Sequence, residues 1–541
     1  MLGHKVRDFR LLTALSLEDL VPEDNFYRQV ERCLDLGFVR DLVLELYSVI
    51  GRPSIDPIVF FKLQLIAFFE GIRSERQLME TVNVNLAHRW FIGYDLTEAV
   101  PDHSSLSKIR DRYGLATFQQ FFERIVELCI QAGLVWGEEL YFDSTKVQAN
   151  AAIDRMMPRV EWEAQQHLQQ LFETEKMVAE AAASPEEDLL LEDRVEPEPE
   201  SAAVLTPQDL VTKYNGTRLI GVREPSYERL TDQKVCPTDI DASPMQPSGG
   251  GSTVMGYSDH YMVDGGKQRI ILSALVTPAS IMDNTPLLDL VRWVCARWQL
   301  HPKRATGDTK YGTIPNIVGL EKMDIRAYLP TPDFSSRNEF YPAERFEYDV
   351  EHDQYVCPQG QILRLSSRRK SEQVYVYAAD AAVCDTCPVK KECTDSKSGR
   401  HIFRSFFQED LDRVKAYQET EEYQKAMRKR SLWTEPLFGE AKQFHQMRKF
   451  RLRGLMKVNI EGVMVATGQN LKRLIKQAST KPFSFYKLLC LLVHSPTPLT
   501  FSTGWLILRT TFSFRRFIST TWYLLSRLTG KMIWLIVVHN V

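Results

Sequence analysis

Helical apolar spacing fills residues 20 to 133, and regular strand signals begin only after it. In DHSSLSKIRDRYGLATFQQFFERIVELCIQAGL, for example, apolar residues recur every three to four positions, and Asp102 and Ser104 supply N-cap chemistry. Farther along, short apolar runs alternate with helix patterns. A chain of 541 residues is too long for one small core, so this change predicts an all-α N-terminal domain followed by an α/β domain.

The second region has the pattern of a mixed sheet with helices packed on it. LYFDSTKVQANA predicts a strand that ends at Asp143, and HYMVDGGKQRIILSALVT predicts two strands joined by a hairpin at its glycine pair. A helix capped by Asp283 or Asn284 follows, then a strand ending at Asp308, a second helix and a last strand. That order favours a mixed sheet flanked by helices.

Two insertions interrupt this α/β domain, which we place at residues 134–477. Residues 150–250 predict a polar helix and an acidic, proline-bearing linker, and residues 331–425 carry a cysteine cluster. The helical domain covers residues 1–133. The tail, 478–541, has no role that we can assign, and its charges and prolines interrupt it before a membrane-spanning length accumulates.

Composition indicates the compartment and leaves the partner open. The N-terminus lacks the uninterrupted apolar run of a signal peptide, and nine cysteines in so long a chain do not predict a secreted disulfide framework. We therefore expect a cytoplasmic protein without a membrane segment. The net charge of -3 is ordinary, so a nucleic-acid site has to be sought in local charge.

Asp143 and Asp308 are candidate site residues because each ends a predicted buried strand. Ligands usually bind at the carboxyl ends of strands in α/β sheets. Taken alone, either aspartate is explained more simply as the start of a turn. Four other aspartates have weaker contexts, as a hairpin turn, a helix cap or a loop of unknown role: Asp264, Asp283, Asp239 and Asp241.

A third acidic candidate, Glu435, lies in the densest basic stretch of the chain, residues 427–458. Pro436 predicts that Glu435 sits at or near a helix start. Glu435 and Lys442 are seven residues apart and so share a helix face. A solvated face normally mixes charges, so phosphate binding explains this stretch better. Its predicted DNA-binding residues are Arg428, Lys429, Arg430, Lys442, Arg448, Lys449, Arg451 and Arg453.

Four cysteines cluster between the second and third acids: Cys357, Cys384, Cys387 and Cys393. A C-x2-C pair with two further cysteines nearby is consistent with a structural zinc site. The alternative is four free thiols in a partly buried insertion.

Several of these blocks together resemble a known family. YFDSTKVQANA, GDTKYG and RSLWTEPLFGEAK with RKFRLRGLMKV resemble the catalytic blocks of bacterial insertion-sequence DDE transposases, whose core is ribonuclease-H-like. GRPSIDPIVFFKLQLIAFFEGIRSERQLMETVNVNLAHRWFIG is similar to the helical N-terminal domain of the same transposases. The resemblance implies a ribonuclease-H-like mixed sheet preceded by an all-α domain.

The resemblance also implies a site and an activity. Asp143, Asp308 and Glu435 would be the metal-binding triad, and Lys442 with the nearby arginines would contact the element end. Three carboxylates can hold two divalent cations for in-line displacement at phosphorus, and Mg²⁺ (or Mn²⁺) suits oxygen ligands. Water would cleave the strand at the element end, and the freed 3′ hydroxyl would attack target DNA. The expected partners are double-stranded DNA, in the nucleoid, and further copies of the chain.

Alternatives stay open at two points. The chain could be a transposase-derived DNA-binding protein that no longer cuts, or a related nuclease that cleaves without joining. The helical domain could read DNA through a helix-turn-helix-like pair or could serve as a dimerisation bundle. In the first case we expect five cations to face phosphate: Arg76, Arg89, Lys108, Arg110 and Arg112.

Overall fold

The computed structural model describes residues 16–48, 54–181, 204–216, 234–247, 250–331 and 339–480. The acidic part of the predicted linker and the tail beyond residue 480 lie outside these residues. Among the described helices, none combines the length and apolarity needed to cross a membrane.

The N-terminal region is helical, as its apolar spacing predicted. Side chains of Asn25, Asp56, Ser74, Asn85 and Asp102 each accept a backbone N–H at a helix start, which fixes where those helices begin. The helices are α1 (Leu17–Leu20), α2 (Phe26–Cys33), α3 (Phe38–Val43), α4 (Pro57–Phe69), α5 (Glu75–Val84), α6 (Leu86–Ile92) and α7 (His103–Gln131).

A mixed sheet forms the centre of the second region. Its long strands β1 and β5 are antiparallel, β5 also pairs with β6 and β4, and β1 pairs in parallel with β7, which pairs in parallel with β8. The predicted order of strands and helices is confirmed, although β4 was not predicted. The strands are β1 (Glu139–Gln148), β4 (Ser243–Met245), β5 (Val254–Asp264), β6 (Ile271–Pro278), β7 (Arg304–Thr306) and β8 (Arg326–Tyr328); a separate pair is β2 (Met157–Pro158) with β3 (Lys234–Val235).

Helices pack on this sheet, and the sequence analysis predicted four of the nine further helices in the described part of the chain. One helix start was predicted wrongly, because Pro286, and neither Asp283 nor Asn284, is the N-cap residue before Leu287. The remaining helices are α8 (Arg159–Ala181), α9 (Pro207–Gly216), α10 (Leu287–Trp298), α11 (Ile314–Glu321), α12 (Ala381–Asp385), α13 (Lys390–Cys393), α14 (Gln408–Gln418), α15 (Glu421–Phe444) and α16 (Leu455–Thr480).

Pro436 lies inside α15, so the prediction that Glu435 starts a helix was wrong. A proline in a helix leaves the carbonyl four residues earlier without its N–H donor. That carbonyl belongs to Leu432, and the Arg269 guanidinium donates to it from the β5–β6 turn at 3.3 Å. The helix therefore continues through Pro436 with help from the neighbouring hairpin.

The second insertion contains a sheet that the sequence analysis did not predict. Five antiparallel strands pair in chain order, and their core includes Phe346, Tyr355, Leu363, Tyr377 and Ile402. The strands are β9 (Glu347–Asp349), β10 (Gln354–Val356), β11 (Ile362–Arg369), β12 (Val374–Ala378) and β13 (His401–Ser405).

One hydrophobic core joins the helical region to the main sheet. The last described helix, α16, packs against both α7 and β6. Phe68 of α4 stacks on His445 with ring centroids 3.8 Å apart, and it also fills the space beside Gly468 of α16. The helical region is thus joined to α16 and the main sheet through buried apolar surface.

Candidate functional site

Asp143 and Asp308 lie at matching positions on adjacent parallel strands. Tyr141 of β1 pairs with Thr306 of β7, and each aspartate follows two residues beyond that rung. The sequence predicted that β1 would end at Asp143, and this was wrong, since antiparallel pairing with β5 carries the strand on to Gln148. Asp143 is instead placed where the shorter β7 stops and leaves one side of β1 open.

The carboxylate of Asp143 is largely buried and held by three donors. Its Oδ1 accepts the backbone N–H of Ser144 at 2.8 Å, and its Oδ2 accepts the Thr434 hydroxyl at 2.8 Å and Arg430 Nη1 at 3.4 Å. Burial raises the pKa of Asp143 and the nearby charge of Asp308 raises it further, while these donors oppose the rise. The sequence reasoning missed Thr434, although it lies one turn after Arg430 on the same helix face.

Glu435 projects from the middle of α15 and is the most accessible of the three acids, with its side chain 64 % exposed. Arg430 Nη2 lies 4.0 Å from Glu435 Oε1. Because the same guanidinium contacts Asp143, Arg430 brings the first and third candidate acids to one place.

Asp308 caps a short turn and is bordered by a lysine. Its Oδ1 accepts the backbone N–H of Lys310 at 2.9 Å. Lys310 Nζ lies 3.2 Å from Asp283 Oδ2. Burial tends to lower the pKa of Lys310, but the charges of Asp283, Asp308 and Asp143 outweigh it and raise that pKa. Asp283, expected to cap a helix, is thus a fourth carboxylate beside the candidate acids.

The donor set of this region suits a hard divalent cation. It consists of carboxylate oxygens, and two of its neighbours are cationic side chains, Arg430 and Lys310, which balance the concentrated negative charge. Within the described ranges, no three His, Cys, Asp or Glu side chains are already arranged around a point where a metal ion could sit. Binding an ion there would require side-chain movement.

The basic stretch divides into cations with internal partners and cations that face solvent. Lys429 Nζ bonds Glu139 Oε2 at 2.5 Å and lies over the Trp433 ring, and Lys442 Nζ donates to Thr145 Oγ1 at 2.6 Å. Burial and the charge of Arg448 lower the pKa of Lys442. Arg451 pairs with Glu75, and Arg453 donates to the Asn150 carbonyl. Among the eight predicted DNA-binding residues, Arg428, Arg448 and Arg453 are exposed and Lys449 is half-buried, so Arg453 has both an internal partner and exposed surface.

Two arginines of the helical region were predicted wrongly to face phosphate. Arg89 is buried and donates to the carbonyls of Asn83 and Glu98. Arg110 is buried in an ion pair with Glu75. Both guanidiniums bond groups within the helical region and are buried, so they are not accessible to a DNA phosphate.

Three of the weaker aspartate candidates turn out to have structural partners. Asp239 accepts the Tyr257 hydroxyl at 2.6 Å and the Gly454 N–H at 3.1 Å, and Asp241 accepts the Leu455 N–H at 2.6 Å. These two together cap the start of α16. Asp264 accepts three backbone N–H groups around the β5–β6 turn, from Trp136, Gly137 and Gly266.

All four clustered cysteines are free thiols, and three of them, Cys357, Cys384 and Cys393, pack against the core of the second sheet. Burial raises the pKa of Cys393, the charge of Arg400 lowers it, and the charges of Cys384, Cys357 and Cys387 raise it further. In the described part of the chain, no three of these thiols are arranged around a point that a metal ion could occupy. Cys357 Sγ accepts the backbone N–H of Gln361 at 3.3 Å.

Comparisons with known families give two matches. The Transposase domain (DUF772) family matches residues 15–112, and the Transposase DDE domain family matches residues 356–475. The second range contains Glu435, whereas Asp143 and Asp308 lie outside both ranges. None of the curated proteins and none of the solved structures that were searched matches the chain.

Proposed function

We propose that the chain is an insertion-sequence DDE transposase, as its matches to two transposase domain families support, and that it binds the ends of its element and catalyses metal-dependent strand cleavage and strand transfer there. The observation that carries this proposal is the equal offset of Asp143 and Asp308 beyond one rung of the β1–β7 pair. Glu435 supports it, because Arg430 links that carboxylate to Asp143.

We assign the main sheet to the ribonuclease-H-like class. Three consecutive antiparallel strands, β1, β5 and β6, are followed by two strands, β7 and β8, that run parallel to β1 after helical connections. This order places β1 at the centre of the sheet, where Thr434 of α15 contacts Asp143 in the middle of the strand.

The proposed metal ligands are Asp143, Asp308 and Glu435, with Mg²⁺ or Mn²⁺ as the ion. When bound, such ions activate the attacking oxygen and stabilise the leaving oxygen at phosphorus. Among the chain's own groups, the Thr434 hydroxyl orients Asp143 Oδ2. The exposed cations of the basic stretch are proposed to bind DNA phosphates.

The triad can be tested by replacing each acid with its amide. We expect Asp143→Asn, Asp308→Asn and Glu435→Gln each to reduce the rate of strand cleavage by about 1,000-fold or more. Each change removes a negatively charged oxygen ligand that the divalent ions need. Binding to an element-end duplex should change little. Full cleavage by any one variant would remove that residue from the triad.

The exposed cations need a separate test. Arg448→Ala should weaken duplex binding and reduce the slope of log K against log salt by about one, as expected for one lost phosphate contact. Lys429→Met should leave that slope unchanged and lower the thermal midpoint, because Lys429 bonds Glu139 inside the protein. The opposite pattern would mean that DNA contacts Lys429 and does not contact Arg448.

Two further functions compete with this proposal: a DNA-binding protein that does not cut and a nuclease that does not join. Incubation of an element-end duplex with a target plasmid separates them, since binding, cutting and joining give different products. We also propose that two or more copies assemble on the DNA, since transposition holds two ends together. Crosslinking on a duplex that carries one end would reveal that assembly.

We also propose structural zinc at the cysteine cluster, on its C-x2-C pair, the packing of three of its thiols against one core and the N–H···S bond at Cys357. Binding would draw the thiols together around the ion. Zinc should co-purify at about one ion per chain and be lost on Cys384→Ser. Purified protein without zinc, and unchanged stability of that variant, would assign the cluster as free thiols.

A further inference from the structure

Arg430 occupies the space between two carboxylates that the proposed function assigns to metal binding. Its Nη1 lies 3.4 Å from Asp143 Oδ2 and its Nη2 lies 4.0 Å from Glu435 Oε1. The side chain is only 17 % exposed, and within the described part of the chain its buried Nε has no hydrogen-bond partner. One guanidinium thus lies between the first and third acids, hydrogen-bonded to Asp143 and at the outer limit of ion-pair distance from Glu435.

Such a contact opposes metal binding for an electrostatic reason. A divalent ion bound by Asp143 and Glu435 would have to share their oxygens with a positive charge, and like charges at a few ångströms in a partly buried site repel strongly. A carboxylate has about four acceptor positions, and Ser144, Thr434 and Arg430 together occupy three of those on Asp143. Arg430 is the donor that can leave, since it holds Asp143 by the longest of the three contacts.

A phosphate group can draw Arg430 away from the acids. Guanidinium binds phosphate and carboxylate with the same forked geometry, and its unused Nε is a donor that neither acid satisfies. Arg428, exposed on the same helix, marks α15 as a surface that a phosphodiester backbone can approach.

We propose that Arg430 is a gate on the metal site: it holds Asp143 and Glu435 while DNA is absent and moves to a DNA phosphate when an element end binds, which opens the acids to the ions. The proposal rests on the proposed function and adds to it an order of events. Metal and DNA then bind cooperatively, and each raises the affinity of the other by the same factor. Off DNA, the acids are held by an internal cation.

The test measures Mn²⁺ affinity of the full chain by the electron paramagnetic resonance signal of free Mn²⁺, without following catalysis. Arg430→Gln should bind Mn²⁺ about tenfold more tightly than the original chain in the absence of DNA. Lys425→Gln is the matched control, because it removes one positive charge from an exposed position five residues earlier on α15, and it should leave the affinity unchanged. Equal or weaker Mn²⁺ binding by Arg430→Gln would overturn the gate.

DNA provides the second arm of the experiment. The probe is a synthetic duplex that carries the sequence of the element end, which lies in the DNA flanking the gene. It should tighten Mn²⁺ binding to the original chain by about the same tenfold factor and should have little effect on Mn²⁺ binding to Arg430→Gln. An equal effect of the duplex on both proteins would also overturn the gate. Circular dichroism of each variant verifies that it is folded.

A further substitution separates this inference from the proposed function. Asp143→Asn, added to Arg430→Gln, should abolish the tight Mn²⁺ binding. If Mn²⁺ binding does not depend on Asp143, the assigned metal site itself is wrong. If it depends on Asp143 and yet does not change with Arg430, the metal site stands and only the gate is refuted.

Discussion

Glu440 joins α15 to α16 through one carboxylate. Lys472 Nζ donates to its Oε1 at 2.7 Å, and Arg473 Nη2 and Gln469 Nε2 donate to its Oε2 at 3.3 and 3.2 Å. Burial alone would raise the pKa of Glu440, but hydrogen bonds from His445 and Lys472 and the charge of Arg473 outweigh it and hold that pKa well below its usual range.

Glu440→Gln should therefore destabilise the protein by about 2–3 kcal/mol at neutral pH, because it leaves the buried Arg473 guanidinium, and the partly exposed Lys472 beside it, without a counter-charge. A carboxylate with a lowered folded-state pKa stabilises the protein above its unfolded pKa, about 4.3, and loses this contribution as the pH falls. Urea unfolding should then give a gap between the two proteins at pH 7 that narrows below about pH 4.

Glu421→Gln provides the control, since Glu421 lies on the same helix but is mostly exposed and, among the described residues, forms an ion pair with Lys425 alone. Its free energy of unfolding should differ little from that of the original chain at either pH. A gap for Glu440→Gln that persists unchanged at low pH would show that its effect comes from packing and not from charge.

Strand context was enough to find Asp143 and Asp308 as candidates, because an apolar run followed by a carboxylate is visible in sequence. It could not give the register that sets Tyr141 opposite Thr306, since pairing between distant strands leaves no local signal. Nor could it show that Lys429 turns inward to a buried carboxylate, because lysines facing protein and lysines facing solvent look alike in sequence.

At the scale of elements, α15 depends on the β5–β6 hairpin for one of its hydrogen bonds. Arg269→Ala should remove the donor to the Leu432 carbonyl and cost about 0.5–1 kcal/mol in the free energy of unfolding. In a Pro436→Ala background, the backbone of the introduced alanine supplies the missing N–H, so the same Arg269→Ala change should cost almost nothing.

A double-mutant cycle measured by thermal unfolding would give this difference as a coupling energy. Additive effects of the two substitutions would show that Arg269 does not substitute for the N–H that Pro436 lacks.

The sequence prediction for Glu435 was wrong for a related reason, since a local rule for the residue before proline cannot include a donor from another part of the chain. The second sheet escaped prediction for a different reason, because strands of three residues such as β9 and β10 are too short to carry an alternating pattern.

At the scale of the whole molecule, the contact between Phe68 and Gly468 sets how closely the helical region can approach α16. A Cβ at position 468 would overlap the Phe68 ring. Gly468→Ala should therefore destabilise the protein by about 1–3 kcal/mol through overpacking. Gly439→Ala is the control on α15, where a Cβ meets nothing within 4 Å and should be neutral or slightly stabilising.

Calorimetry of Gly468→Ala and Gly439→Ala measures these changes in stability. In the same experiment, the original chain should show the helical region and the main sheet unfolding in one transition, because they share a core. Two separate transitions would mean that the shared core contributes little. Removal of residues 1–133 would expose the apolar side of α16, so point substitutions test the helical region better than truncation does.

The packing of α7 against α16 has a consequence for the newly made chain. Cys129 of α7 contacts the carbonyl of Asn470, 341 positions later. At usual rates of synthesis, roughly 20–70 s separate the emergence of these two residues from the ribosome. Throughout that interval the apolar side of α7 remains exposed, because α16 has not yet been synthesised. We therefore expect chaperones to bind the early part of the chain. Slower translation, which lengthens the exposure, should lower the yield of folded protein.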